Sequence, residues 1–267
     1  MSTFNELSQL INVNDIYEPF IGEFDSSESV ASVGDVWGSI CCEESLDPME
    51  MHALIKKNEE VIGIMTYEDL EASKMLYECD ISPISGHNLI SSDTPLIEAV
   101  NPVCNKDFHL VLKGNQFIGF LVYSHFYKLP FRLCLFALLI DLERLMLEIT
   151  KSSSTSFLNH LPEGRLQKAK DIYGHRGFSL NKENKEYDSK LIDCTTFIDK
   201  FTMLRKDPDI IQKCPNSKND FTKIAEKIRN SVAHPRDEAG LPIERKVLLP
   251  FIQWCEELEK QLQAVNM

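Results

Sequence analysis

Two stretches in the first half of the chain repeat one pattern of apolar and polar positions. Met51 to Leu70 alternates an apolar run, a polar turn at Asn58–Glu59, a second apolar run and the start of a helix. Phe108 to Phe126 repeats that scheme, with its turn at Gly114–Asn115. Gly63 and Gly119 are the matching glycines, 56 positions apart, which reads as an internal duplication. Pro95 to Val100 reads as the leading helix of the second repeat, and its counterpart near Ser32 to Trp37 is much less distinct.

After Pro130 the period changes from strand-like to helical. Leu135, Leu138, Leu142, Leu145 and Ile149 recur at helical spacing, which predicts a helix over Phe131 to Thr150. Phe136 and Ile140 widen its apolar stripe, so it asks for neighbours on more than one side. A second helix is predicted from Pro162 to Tyr173, and a loop over Asn181 to Ser189. The third helix is predicted over Leu191 to Lys206, stopped at Asp207–Pro208. The fourth starts at Asp220, a residue type suited to an N-cap, and ends before Pro235. A last helix is predicted over Glu244 to Ala264, with Pro250 as a kink point.

Composition adds a boundary to this picture. The chain of 267 residues carries a net charge of −13. Residues 1–128 hold 6 Lys+Arg against 21 Asp+Glu, whereas residues 129–267 hold 22 against 20. Two domains, 1–128 and 129–267, are therefore expected, with any RNA surface on the C-terminal half. No secretory signal and no membrane span are read from the sequence, and eight cysteines read as reduced thiols, so the expected location is cytoplasmic. The histidines are scattered and no ligand spacing for a metal is present, so no metal site is expected.

The segment Arg229-Asn230-Ser231-Val232-Ala233-His234-Pro235 carries candidate chemistry at the end of the fourth helix. A guanidinium is a permanent, fork-shaped phosphate ligand, and an imidazole exchanges protons near neutral pH. With four or five helices around it, this Arg-polar-x-x-x-His element resembles the HEPN domain. The resemblance implies a metal-independent endoribonuclease whose composite site forms across a homodimer. Arg229 would then hold the scissile phosphate, His234 would move a proton to or from the ribose 2′-OH or leaving oxygen, and Asn230 would orient either. No cofactor is needed for that catalysis. The alternative reading of the same residues is structural, with His234 capping its helix and Arg229 pairing with an acid such as Glu226.

Gly63, Ile64, Thr66 and Asp69 match the Gly-hydrophobic-x-Thr-x-x-Asp pattern of CBS domains, and both repeats resemble that family. It implies tandem repeats, about 12–72 and 80–128, with an adenine nucleotide or related effector in a cleft between them. Thr66 would contact phosphate and Asp69 the ribose hydroxyls. A positive lining would have to come from Lys56, Lys57 or backbone amides. The second repeat departs from the pattern, since Val122 replaces the Thr and His125 the Asp. One good nucleotide site at most is expected.

The expected fold class is thus an α+β CBS-like pair followed by an all-α HEPN-like bundle. The leading functional expectation is a nucleotide-sensing, metal-independent endoribonuclease active in stress or defence. Its alternative is a catalytically inactive regulatory or dimerisation protein that binds a partner according to nucleotide level.

Overall fold

A computed structural model describes residues 3–20, 23–25, 28, 33, 52–58, 60–66, 81–152, 157–176, 185–207, 209–211, 218–233 and 243–266. The chain divides into two compact units. One comprises Leu10–Pro130, and the other joins Met1–Gln9 to Phe131–Met267.

The α+β unit contains two sheets of matching design. β1 (Glu23–Asp25) runs parallel to β2 (His52–Lys57), which forms a hairpin with β3 (Glu60–Thr66) and is followed by the short β4 (Ser82–Pro83). β5 (Leu89–Ser91) runs parallel to β6 (Phe108–Lys113), which forms a hairpin with β7 (Gln116–Val122). A helix, α2 (Leu96–Asn105), lies between β5 and β6 in the chain. Both hairpins slip register at the same place, between Ile55 and Lys56 and between Val111 and Leu112. Both turns carry a left-handed residue, Asn58 at φ 53° and Gly114 at φ 60°. Those angles explain the residue types, because glycine and asparagine tolerate positive φ best.

The repeats exchange their bordering strands. β4, at the start of the second repeat, pairs with β3 of the first through Gly63 and Ile64. Glu18, near the start of the first repeat, bridges Phe120 of the second with paired backbone bonds of 2.8 and 3.1 Å. Residues further upstream follow it: Val13 N–H donates to Thr94 O, and Leu96 N–H donates to Ile11 O. Leu54, Ile64 and Leu110 form a core common to both repeats, lined by Phe20, Ile84 and Phe117.

Among the described residues of the second unit all regular structure is helical. Its helices are α1 (Thr3–Leu10), α3 (Leu129–Ser152), α4 (Glu163–His175), α5 (Lys185–Ile192), α6 (Phe197–Leu204), α7 (Lys218–Ala233) and α8 (Arg245–Asn266). The first two residues of α3 fall in the other unit's range. Leu135, Leu138, Leu142 and Met146 of α3 are buried, while Leu133 and Ile140 are exposed. Within this unit, Phe4 N–H donates to the buried carboxylate of Asp141. Aromatic rings join α6, α7 and α8: Phe221 lies 5.4 Å from Phe201, 5.2 Å from Phe251 and 3.7 Å from Trp254.

Three sequence expectations change here. The single helix expected over Leu191 to Lys206 is two helices. Thr196 breaks it by capping α6, where its hydroxyl accepts from Asp199 N–H and the Asp199 carboxylate accepts from Thr196 N–H. The expected loop over Asn181 to Ser189 gives way to α5 from Lys185 onward. The fourth helix begins at Lys218, so Asp220 lies inside its first turn rather than at its cap. α8 continues through Pro250. The helix expected near Ser32 to Trp37 lies outside the described residues, apart from Val33.

Candidate functional site

In the α+β unit the candidate cleft residues lie on β3. Ile64 is buried at 1 % exposure, and Thr66 ends the strand half-buried, opposite His52 in the ladder. Asp69 lies outside the described residues. Gly63 is required by close approach. A Cβ there would collide with the backbone carbonyl of Ser82 and the side chain of Ile81. Gly119 is the same device in the second repeat, pressed against the Glu18 carbonyl and the Tyr17 ring. Both glycines therefore sit where the exchanged strand crosses, which is a scaffold role.

The second repeat has spent its equivalent of the Asp69 position on structure. Val122 N–H donates to His125 Nδ1 at 3.4 Å, closing the turn that follows β7. His125 is buried, and burial followed by the charges of Lys128 and His52 pushes its imidazole down to about 3. A neutral ring already engaged with its own backbone is a poor substitute for a carboxylate that accepts two hydroxyls. The ring also packs 5.3 Å from Phe120, which in turn lies 4.0 Å from His52 of the first repeat. Of the two lysines expected to supply positive charge, Lys56 is paired with Glu23 and Lys57 is exposed.

In the helical unit Arg229 and Asn230 fall in the last turns of α7. His234 lies outside the described residues. The Arg229 guanidinium binds Glu143 of α3 at 2.9 Å and stands 5.8 Å above the Phe197 ring. The other Glu143 oxygen accepts from Lys200 at 3.2 Å, and Lys200 also donates to Thr195 O at 2.7 Å. Lys200 is only 3 % exposed, so the carboxylate is what makes its burial tolerable. Nearby, Arg165 pairs with Asp199 at 2.7 Å and donates to Thr196 Oγ1 at 3.0 Å. The Asp199 hydrogen bond and charge, with Glu226 beside it, raise the Arg165 guanidinium further.

Arg229 thus pairs with Glu143 and not with the neighbouring Glu226. A carboxylate on a guanidinium competes with any phosphate brought to it. One-third of the Arg229 side chain stays open to solvent. Adjacent residues on a helix point about 100° apart, so Asn230 is exposed on a different side from Arg229. The Glu143–Lys200–Arg229 group escaped the sequence reading because 86 positions separate Glu143 from Arg229. Helical periodicity carries no information about such a pairing.

Among the described residues no group of three or more His, Cys, Asp or Glu side chains could hold a metal ion. Nor is any described helix long and apolar enough to cross a membrane. Burial raises the Cys255 thiol well above its usual range, and Cys194 is raised to a lesser degree by the same cause.

No protein-family model matches this chain, and no curated protein matches it. Solved structures similar to it include the CBS domains of a transcriptional regulator from Streptococcus pneumoniae, at 14 % identity and a TM-score of 0.32, covering 43 % of this chain and 96 % of that one. Another is the CBS domain of a CBS-domain-containing membrane protein from Sphaerobacter thermophilus, at 10 % identity and a TM-score of 0.35, covering 47 % and 93 %. CBSX2 in complex with AMP is a third, at 15 % identity and a TM-score of 0.30, covering 43 % and 91 %.

Proposed function

We propose that this chain is a ligand-responsive regulator. Its duplicated unit binds one adenine nucleotide or related molecule, and its helical unit engages a partner according to that occupancy. The observation that supports a single site is the asymmetry of the strand ends. β3 finishes in the hydroxyl of Thr66, whereas β7 finishes in Val122 with His125 committed to its own turn. In the first repeat Gly63 and Ile64 hold the strand in place and Thr66 at its end meets the phosphate, with Asp69 taking the ribose hydroxyls. Lys56 or backbone amides would have to balance the phosphate. The two repeats exchange strands and share a core, so a ligand at one end of that scaffold bears on both. Regulation further requires two states with different affinity for the ligand.

The test is thermal unfolding with AMP, ATP and S-adenosylmethionine. A native-state ligand at a hundredfold excess over its Kd stabilises by about 2.7 kcal/mol. Wild type is expected to show that shift with one of the three, and Thr66→Ala or Asp69→Ala to lose it. A flat response to all three leaves the duplicated unit as scaffold.

The second reading is a ribonuclease in which Arg229, Asn230 and His234 act on RNA across a homodimer. The partial exposure of Arg229 and the exposure of Asn230 favour it. The Glu143 carboxylate favours the regulator, because it already satisfies the guanidinium. Incubation with single-stranded RNA in EDTA separates the two. The regulator leaves the RNA intact, and cleavage that disappears in His234→Ala would establish the nuclease.

A further inference from the structure

We propose that the groove between α7 and the start of α8 docks an acidic peptide segment of a partner protein, anchored by aliphatic side chains. This rests on the regulator reading above and supplies the partner's chemistry. The groove holds about 350 Å³. Ile224, Ile243 and Val247 form its apolar walls, and Lys223, Lys227 and Lys246 stand around them.

Lys223 and Lys227 are one helical turn apart, both exposed, and among the described residues neither enters an ion pair. Lys246 lies across from them and is paired with Glu244 at 2.7 Å. The local balance is therefore positive in a half of the chain whose totals are nearly neutral. Charge of one sign around a concave wall raises the local concentration of the opposite sign. That selects an acidic occupant.

The apolar surface selects a peptide over a nucleic acid. Single-stranded RNA is bound largely by stacking bases on aromatic rings, and among the described residues no aromatic side chain lines this groove. Half-buried Ile224 and Val247, with buried Ile243 beneath them, match leucine or isoleucine side chains instead. An amphipathic segment carrying aliphatic anchors one turn apart, with glutamate or aspartate between them, satisfies both surfaces at once. Arg229 belongs to a different face of α7, where it meets Glu143, so the groove is separate from that ion-pair group.

The experiment titrates the full chain into a fluorescein-labelled Leu/Glu amphipathic peptide and reads anisotropy at low salt. Wild type is expected to bind it, and to bind a Ser/Glu peptide of equal charge at least about tenfold more weakly. The double variant Lys223→Glu/Lys227→Glu should lose at least about tenfold for the Leu/Glu peptide and gain binding to a Leu/Lys peptide. Both lysines are exposed, so an unchanged melting temperature confirms that the variant is folded. The proposal is overturned if the Ser/Glu peptide binds as well as the Leu/Glu peptide, or if neither binds. It is equally overturned if labelled oligouridylate binds more tightly and is lost in the same variant. The nucleotide-dependent melting shift is measured in parallel. No peptide binding with that shift intact removes the groove alone, and peptide binding without the shift removes the sensor alone.

Discussion

The two hairpins, β2–β3 and β6–β7, have the same skeleton and different ends. Register slip, left-handed turn residue, strand-crossing glycine and parallel neighbour all coincide. Even the burial along β3 and β7 follows one sequence of exposed, intermediate and buried positions. What differs is the first residues past the common skeleton: Thr66 against Val122, and Asp69 against His125. The two hairpins thus share every feature that their packing requires and differ at positions that the packing leaves open. In the second copy one of those positions holds an imidazole that closes its own turn.

The largest expected effect comes from the skeleton. Gly63→Ala and Gly119→Ala each push a Cβ into the backbone carbonyl of the crossing strand. Overpacking against backbone, which cannot swing aside, should cost about 3 kcal/mol in either repeat. Denaturant unfolding followed by tyrosine fluorescence would check this, and equal losses would confirm that the repeats are mechanically equivalent. A loss at one glycine alone would break the comparison.

A smaller effect distinguishes the copies. His125 stays neutral in the folded unit down to about 3, whereas an ordinary histidine protonates near 6.5. The unfolded chain therefore binds the extra proton first. Stability should fall as pH drops below 6.5, by up to about 1.4 kcal/mol per pH unit. His125→Asn should flatten that slope between pH 6.5 and 5, as read from melting temperature, because an amide does not titrate. The smallest effect lies at the turns. Gly114→Ala should cost about 1 kcal/mol because it forces alanine to positive φ, while Asn58→Gly should change stability by only a few tenths.

The hairpins were legible because a strand alternates every second residue and a turn names its own residues. Asn58 and Gly114, residue types that tolerate positive φ, mark both loops in the sequence itself. The long helix α3 was equally plain, since Leu135, Leu138, Leu142 and Leu145 repeat at one period. The break before α6 was written in Thr196-x-x-Asp199, a capping signal overridden by the apolar run on either side of it. The start of α7 was misplaced because Asp220 is a good cap residue in isolation. The strand exchange had no local signature. It depends on Glu18 reaching Phe120 and Ser82 reaching Ile64, which periodicity cannot report. The partner of Arg229 is hidden for the same reason: the acid that meets it is Glu143 of α3, not the nearby Glu226.

Isothermal titration of the full chain with whichever of AMP, ATP and S-adenosylmethionine shifts its melting temperature tests the central asymmetry most directly. One molecule is expected to bind per chain, with binding lost in Thr66→Val and unchanged in Val122→Thr. Two molecules per chain, or binding that survives Thr66→Val and depends on His125, would contradict it.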